Sequence, residues 1–236
     1  MTMQPEVYWL PTSMKTTSAL GVLLICASSI LSYAQHPNAQ KFDAAALFQP
    51  GMGAMQTARE TCGKVPGSQF GNCFVQQMKA AGASPQAVAF MHAIHDNGFM
   101  RDFKDTGRVD IAFAFFPFAA NENQHCLLVN GTPNVIDVDD YNLLPKNDLT
   151  KNPAYAALLR SFPNLAVFPG DRSGTGFITA KDLAGGGQQF IVPYALVDGC
   201  HACARVGLLK LAFDFDRTGK FLGTRVAVVA PHVLNA

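Results

Sequence analysis

The residues with the clearest chemical potential are Gly199-Cys200-His201-Ala202-Cys203, a C-x-x-C sequence with a histidine inside it. Two cysteines at this spacing can close a short disulfide, exchange electrons with another dithiol, or supply two sulfur ligands to a metal ion. A redox role would use Cys200, Cys203 and His201, and the protein would then be a thiol–disulfide oxidoreductase. Catalytic pairs of the thioredoxin type precede a helix, whose dipole helps to lower the pKa of the first thiol.

The segment after the motif has the periodicity of a strand instead of a helix. Large apolar residues alternate strictly with small or charged residues from 210 to 216, which puts three large side chains on one face: Leu211, Phe213 and Phe215. This alternation is typical of a half-buried strand. The pattern favours a structural disulfide that joins Cys200 to Cys203 or to Cys126, and it leaves the redox alternative open.

A metal site is the third use that the motif could have. It would need two further ligands, and a faint internal repeat indicates where they could lie. Residues 115–119 and 191–195 both read apolar-apolar-Pro-aromatic-Ala, and a polar loop with a cysteine follows each of them. If the two hairpins lay side by side, zinc or copper could bind to a set drawn from both: His125, Cys126, Cys200, His201 and Cys203. No second C-x-x-C makes this set specific, so we predict no cofactor.

A dense polar stretch lies directly after the most apolar segment of the chain. Polar side chains at this position could line a site for a small ligand: Asn121, Glu122, Asn123 and His125. The alternative is an ordinary solvated hairpin loop. The stretch also brings His125 next to Cys126, the third cysteine that could take part in chemistry.

Two further histidines have the spacing of neighbours on a helix. His92, His95 and Asp96 would share one helical face and could bind a metal or form an acid–base pair. The order of a zinc protease motif is missing, and no third ligand is evident. An exposed helix face with two ordinary histidines is the preferred interpretation.

Residues 1–34 read as an N-terminal extension followed by a cleavable secretory signal. Lys15 precedes an apolar run over 19–31, and small residues give a cleavage site after Ala34. The residues before Met14 include Glu6 and no basic residue, which indicates that translation starts at Met14. We therefore expect a bacterial protein that is periplasmic or secreted.

Composition excludes some classes of partner. The 18 basic and 17 acidic residues give a formal net charge of +1. This net charge is too small to favour binding to nucleic acid or to an anionic membrane. No run after the signal is long and apolar enough to cross a bilayer. A small ligand or a protein partner of unknown identity is expected instead.

Cysteine usage fits an oxidising compartment, where disulfides are the default. Of the six cysteines, Cys26 lies in the signal, and lipid anchoring there is disfavoured because the preceding Ile25 is not small. Five remain, so two disulfides would leave one cysteine over. Cys62 and Cys73 flank a Gly- and Pro-containing loop, and a bond between them would stabilise a helical hairpin by about 2–3 kcal/mol.

The order of predicted elements indicates an α+β fold. We expect one domain over 35–236, in which a helical part (35–106), pinned by Cys62–Cys73, packs on a mostly antiparallel sheet (107–236). The helical part contains predicted helices at 44–59, interrupted by Pro50-Gly51, at 72–81, from the Ser84-Pro85 cap through His95, and at 99–104. The sheet part contains one predicted helix at 153–160. Non-catalytic binding of a ligand or partner, centred on 121–126 and 198–203, is the predicted function. The alternative is an enzyme that uses the C-H-A-C residues.

Overall fold

The structure, a computed structural model, describes residues 40–119, 123–170 and 174–232. The expected signal sequence, Cys26, Asn121 and Glu122 lie outside these residues. The helices of the described chain are α1 (Met52–Cys62), α2 (Gly67–Ala80), α3 (Pro85–Ala93), α4 (Lys146–Lys151) and α5 (Pro153–Ser161). The strands are β1 (Phe99–Lys104), β2 (Asp110–Phe115), β3 (Gln124–Val129), β4 (Val135–Asp137), β5 (Leu165–Pro169), β6 (Thr179–Asp182), β7 (Gln188–Asp198), β8 (Arg205–Phe215) and β9 (Phe221–Pro231).

The strands form two antiparallel sheets, so the expected α+β class is confirmed. The first sheet has the order β1-β2-β3-β4, and the second has the order β5-β7-β8-β9. In the second sheet, β6 also pairs with β7, on the residues that β5 leaves uncovered. Pro193 lies between the segment that pairs with β6 and the segment that pairs with β5. A residue without an N–H is tolerated at such a break in the ladder.

Strand β2 of the first sheet is buried on both of its faces. Ile111 and Phe113 of β2 face the second sheet and join its apolar side chains, such as Phe213, in the main core cluster. The alternate residues of the same strand, Ala112 and Ala114, belong to a second cluster with α3. Because both faces are covered, β2 reads in the sequence as an almost continuous apolar run.

The helical part is held by the predicted disulfide. Cys62 at the end of α1 is bonded to Cys73 in α2, with Cα atoms 5.6 Å apart, which confirms the pinned helical hairpin. Helix α3 begins as expected, because Ser84 Oγ accepts a hydrogen bond from Ala87 N–H at 3.0 Å and Pro85 follows the cap. Helix α2 begins at Gly67, before the predicted start at 72, so the loop between α1 and α2 is shorter than predicted.

The predicted helix at 99–104 is wrong, because these residues form strand β1. Phe99 pairs with Phe115 of β2, and a bulge follows between Met100 and Asp102. A six-residue segment carries too little periodic signal to separate a strand from a helix. The sheet therefore begins before the predicted boundary at 106/107, and non-local pairing with β2 decides the local structure.

Asp102, at this bulge, ties β1 to the loop before β6. Its carboxylate accepts hydrogen bonds from the Thr175 N–H and O–H, both at 3.0 Å, and from Phe103 N–H at 2.8 Å. Burial alone would raise the pKa of Asp102, but the hydrogen bonds from Thr175 and Phe103 outweigh it and hold the pKa below its ordinary value.

A buried polar network anchors the start of the described chain to the β3–β4 hairpin. Asn130 adopts a left-handed conformation, with φ 68°, directly after β3. Its Oδ1 accepts from Phe42 N–H at 2.7 Å, and its Nδ2 donates to Phe42 O at 2.8 Å and to Asp110 Oδ2 at 2.7 Å. Asp110 is fully buried, and its Oδ1 also accepts from two backbone N–H groups of the preceding turn.

Within the described ranges, no helix combines the length and apolar character needed to cross a membrane.

Candidate functional site

A cavity of about 640 Å³ lies between the helix-facing side of the first sheet and the C-terminal end of α3. Its walls are mainly apolar, with three aromatic rings from Phe70, Phe116 and Phe118. Four polar side chains also line it: His95, Asn97, His125 and Asp137. Cavities of 300–1,000 Å³ with apolar walls and a few polar groups are the usual form of small-molecule sites.

Strand alternation selects which residues of the first sheet reach this cavity. His125 and Leu127 of β3 line it, together with Val135 and Asp137 of β4. The residues between them point to the opposite face, where Cys126 is fully buried in the main core cluster between the two sheets. His125 and Cys126 are neighbours in the chain, but their side chains lie on opposite faces of the sheet.

The His125 ring is held by a short polar contact and by an aromatic ring. Its Nδ1 lies 2.6 Å from Asp137 Oδ2, and the Phe116 ring approaches it at a centroid distance of 4.8 Å, with 64° between the planes. Asp137 Oδ1 accepts from Asp139 N–H at 2.9 Å. Because an ionised carboxylate only accepts hydrogen bonds, we assign the shared proton to Nδ1. The His125–Asp137 pair is thereby fixed in the cavity wall.

The end of α3 brings two more polar residues to the rim. The helix ends at Ala93, and His95 and Asp96 both adopt left-handed conformations, with φ 65° and 59°. This conformation is uncommon for residues other than glycine. Asp96 N–H donates to Met91 O at 2.8 Å, which closes the turn. His95 then lines the cavity with Asn97.

The predicted set of His92, His95 and Asp96 is divided by this turn. His92 Nδ1 lies 2.6 Å from Asp96 Oδ1 on the exposed side, and His95 is placed at the cavity. The left-handed turn also needs close packing against α2. A Cβ on Gly71 would lie 2.7 Å from Asp96 Cβ, so glycine permits the approach.

A metal ion could be held near the pair. His125, Asp137 and Asp139 each offer one ligand atom, and these atoms lie within 4.8 Å of one another. One imidazole and two carboxylates suit a divalent ion such as Zn²⁺ or Mn²⁺. Sequence reasoning missed both aspartates, and the acidic run that ends the β3–β4 hairpin was the available signal.

The metal-ligand set considered from the sequence as an alternative is not assembled. Cys200 and Cys203 are bonded to each other, with Cα atoms 5.0 Å apart, at the exposed tip of the β7–β8 hairpin. His201, in the same tip, packs on Phe168 at a centroid distance of 5.2 Å. Cys126 belongs to neither disulfide and lies in the core, with Sγ 3.6 Å from Gly174 O.

The sequence repeat therefore has no structural counterpart. Pro117 follows the end of β2, and Pro193 is central in β7. The two segments thus occupy different positions in different sheets. Two of the four predicted ligand-binding residues are described in the structure. His125 lines the cavity. The backbone carbonyl of Asn123 accepts a hydrogen bond from Phe116 N–H at 2.8 Å.

No protein-family model matches the chain, and neither a curated protein nor a solved structure is detectably similar to it.

Proposed function

We propose that this protein binds a small organic molecule that has an apolar body and a cationic head group, without transforming it. The cavity of about 640 Å³, with the His125–Asp137 pair in its wall, carries this proposal. Two disulfides within the described chain fit a protein that is exported to an oxidising compartment.

The walls favour a ligand with an aromatic or branched apolar body. Phe70 and Phe118 meet edge to face at 5.3 Å, and Phe116 packs against His125. Ile94, Leu127 and Val135 supply the aliphatic surface. A ring placed among these side chains would gain both burial and the edge-to-face geometry that aromatic pairs prefer.

Charge favours a cationic head group over an anionic one. Asp137 is the one acidic residue of the lining, which contains neither Lys nor Arg among the described residues. When the His125 imidazole is neutral, the pair carries one negative charge. Aromatic faces add to the attraction, because the ring quadrupole favours cations. An ammonium group near Asp137 therefore satisfies both features.

The lining supports binding more than covalent catalysis. Among the described residues that form the walls there is no Ser, Thr, Cys or Lys that could serve as a nucleophile. Cys126 lies on the other face of the sheet. A histidine with an oriented carboxylate can still position a polar group of a ligand.

Three probes with one ring and different head groups test the proposal: benzylamine, benzyl alcohol and benzoate. Each is titrated at pH 8 into the full chain and followed by the NMR shifts of the Ile94, Leu127 and Val135 methyl groups. We expect benzylamine to bind best and benzoate worst. The methyl groups of Ile111 and Leu211, which lie in the main core cluster, should not move and serve as internal controls.

Asp137→Asn keeps the shape of the site and removes its charge. A charge pair at about 4 Å contributes about 1 kcal/mol in water and about 4 kcal/mol near a protein surface of lower dielectric. Because the Asp137 side chain is 34 % exposed, we expect about 1–2 kcal/mol, or roughly 5- to 30-fold weaker benzylamine binding. Benzyl alcohol binding should not change.

Asp182→Asn is the matched control, because Asp182 is an exposed acid on β6 and does not line the cavity. Equal binding of benzoate and benzylamine would contradict the charge argument. Shift changes outside the cavity methyl groups would contradict the location.

A further inference from the structure

The Cys200–Cys203 disulfide is separate from the ligand cavity. It closes the tip of the β7–β8 hairpin, after β7 ends at Asp198 and before β8 begins at Arg205. We propose that it is a surface redox site: a dithiol protein reduces it by thiol–disulfide exchange, and it re-forms without a change of fold. The inference is independent of the proposed ligand-binding function.

Accessibility distinguishes the two disulfides of this molecule. Every residue from Gly199 to Cys203 is exposed, so a thiolate can approach either sulfur of the Cys200–Cys203 bond. Cys62, by contrast, is fully buried at the end of α1, and its partner Cys73 is half-buried in α2. Exchange requires direct attack of a thiolate on a disulfide sulfur, so access limits its rate. The same chain therefore presents one disulfide between two exposed cysteines and one disulfide between a buried and a half-buried cysteine.

The backbone of the hairpin tip is held by hydrogen bonds that do not depend on the disulfide. Cys203 N–H donates to Cys200 O at 2.9 Å, and Asp198 N–H donates to Ala204 O at 3.1 Å. Below the tip, β7 and β8 pair continuously from Gln188↔Phe215 to Val197↔Arg205, with one bulge. The pairing of β7 with β8 therefore fixes the shape of the tip, and the disulfide only closes it. Its reduction should leave the sheet intact.

The other disulfide has a different structural position. Cys62–Cys73 joins two separate helices with eleven residues of sequence separation. Cys62 ends α1, and helix ends fray when nothing holds them. Loss of this bond should release α1 from α2, so Cys62–Cys73 is the staple of the fold.

Exchange with a dithiol balances without another reactant. A thiolate of the reductant attacks one sulfur, the Cys200–Cys203 bond breaks, and the second cysteine leaves as a thiolate that takes up a proton. The second thiol of the reductant then attacks the mixed disulfide and releases the first cysteine. Two electrons and two protons pass to Cys200 and Cys203, and the reductant leaves as its own disulfide.

The direction of attack follows from the strand after the motif. Cys203 precedes strand β8, so the motif does not lie at the N-terminus of a helix as a thioredoxin-type pair does. The pair accordingly lacks the activated nucleophile of a thioredoxin-type enzyme. It accepts electrons from a dithiol that has one.

Timed reduction of the full oxidised chain by dithiothreitol tests the access argument. Samples are quenched with acid, alkylated with N-ethylmaleimide and mapped by peptide mass spectrometry. We expect Cys200 and Cys203 to be labelled about 100-fold faster than Cys62 and Cys73, which serve as the internal control. Equal rates would overturn the proposal.

Two variants test whether the bond is dispensable for the fold. The urea midpoint of C200S/C203S should stay close to that of the wild type, and the midpoint of C62S/C73S should fall clearly. A comparable fall in both would identify Cys200–Cys203 as a second staple and refute the redox site.

Reoxidation completes the test. After dithiothreitol is removed, oxidised glutathione should restore the Cys200–Cys203 bond, whereas a stable glutathione adduct or a bond to Cys126 would contradict reversibility. Benzylamine binding should be equal in the oxidised and reduced chains. These experiments therefore test the ligand cavity and the redox site independently of each other.

Discussion

Substitution of Asn130 tests the network that holds the start of the described chain against the first sheet. In Asn130→Ala, three side-chain hydrogen bonds are lost, two to the Phe42 backbone and one to Asp110. The Asp110 carboxylate is fully buried, so its Oδ2 would lose this donor in the interior. In addition, alanine would have to adopt the left-handed conformation at φ 68°.

The expected loss can be built from these contacts. A hydrogen bond to a buried charged group contributes about 1.5–3 kcal/mol, and each neutral bond contributes about 0.5–1 kcal/mol. The left-handed conformation costs alanine about 1 kcal/mol more than it costs asparagine or glycine. Asn130→Ala should therefore destabilise the fold by about 3.5–6 kcal/mol, out of a total that is about 5–15 kcal/mol for natural domains.

Asn130→Gly separates the two contributions, because glycine loses the same side-chain bonds and tolerates a positive φ. We expect a loss of about 2.5–5 kcal/mol for this variant, which is about 1 kcal/mol less than for alanine. Urea unfolding with both disulfides intact measures the losses. Circular dichroism is the suitable signal, since it reports on the helices and on both sheets. A loss below about 1 kcal/mol in Asn130→Ala would refute the network argument.

Two predictions concern pH. The folded pKa of Asp102 is lowered, so its stabilisation is present above the unfolded pKa and is lost as the pH falls through the folded pKa. Thr175→Val removes one donor to this carboxylate and should destabilise the fold by about 1–2 kcal/mol at pH 7. In urea unfolding, the difference from the wild type should shrink as the pH falls below about 3.9, the ordinary value for an Asp carboxyl, and a constant difference would contradict the linkage. Burial raises the pKa of Tyr155, so the folded state resists ionisation and loses stability as the pH rises above the unfolded value. Tyr155→Phe should lose less stability than the wild type between about pH 9 and 11, and parallel curves would contradict this expectation.

Local patterns predict most elements of the fold. The Ser84-Pro85 cap, the alternation after Cys203 and the loop between Cys62 and Cys73 each place an element or a bond that the structure contains. The prediction for β1 is wrong because its six residues are too few to distinguish the periodicity of a strand from that of a helix. Pairing across the sheet, which a local window does not contain, decides the structure there.

The candidate site is less predictable than the fold, for a related reason. His125 could be selected from the polar stretch after the apolar run, but Asp137 becomes its partner only through the register of β3 on β4. His95 reaches the same cavity because α3 ends in two left-handed residues. Neither event leaves a motif in the sequence. The residues of the internal repeat do not form a metal site, because the two similar segments occupy different positions in two different sheets.

The opposite orientations of His125 and Cys126 also limit how this molecule can vary. Both faces of β3 are filled, and a shift of one residue would exchange the cavity residues with the core residues along the whole strand. An insertion or deletion inside β3 would thus replace an imidazole at the ligand site by a thiol and place the imidazole between the sheets. Changes in ligand preference can therefore arise by substitution along this strand, whereas changes in length have to be confined to the loops beyond its ends.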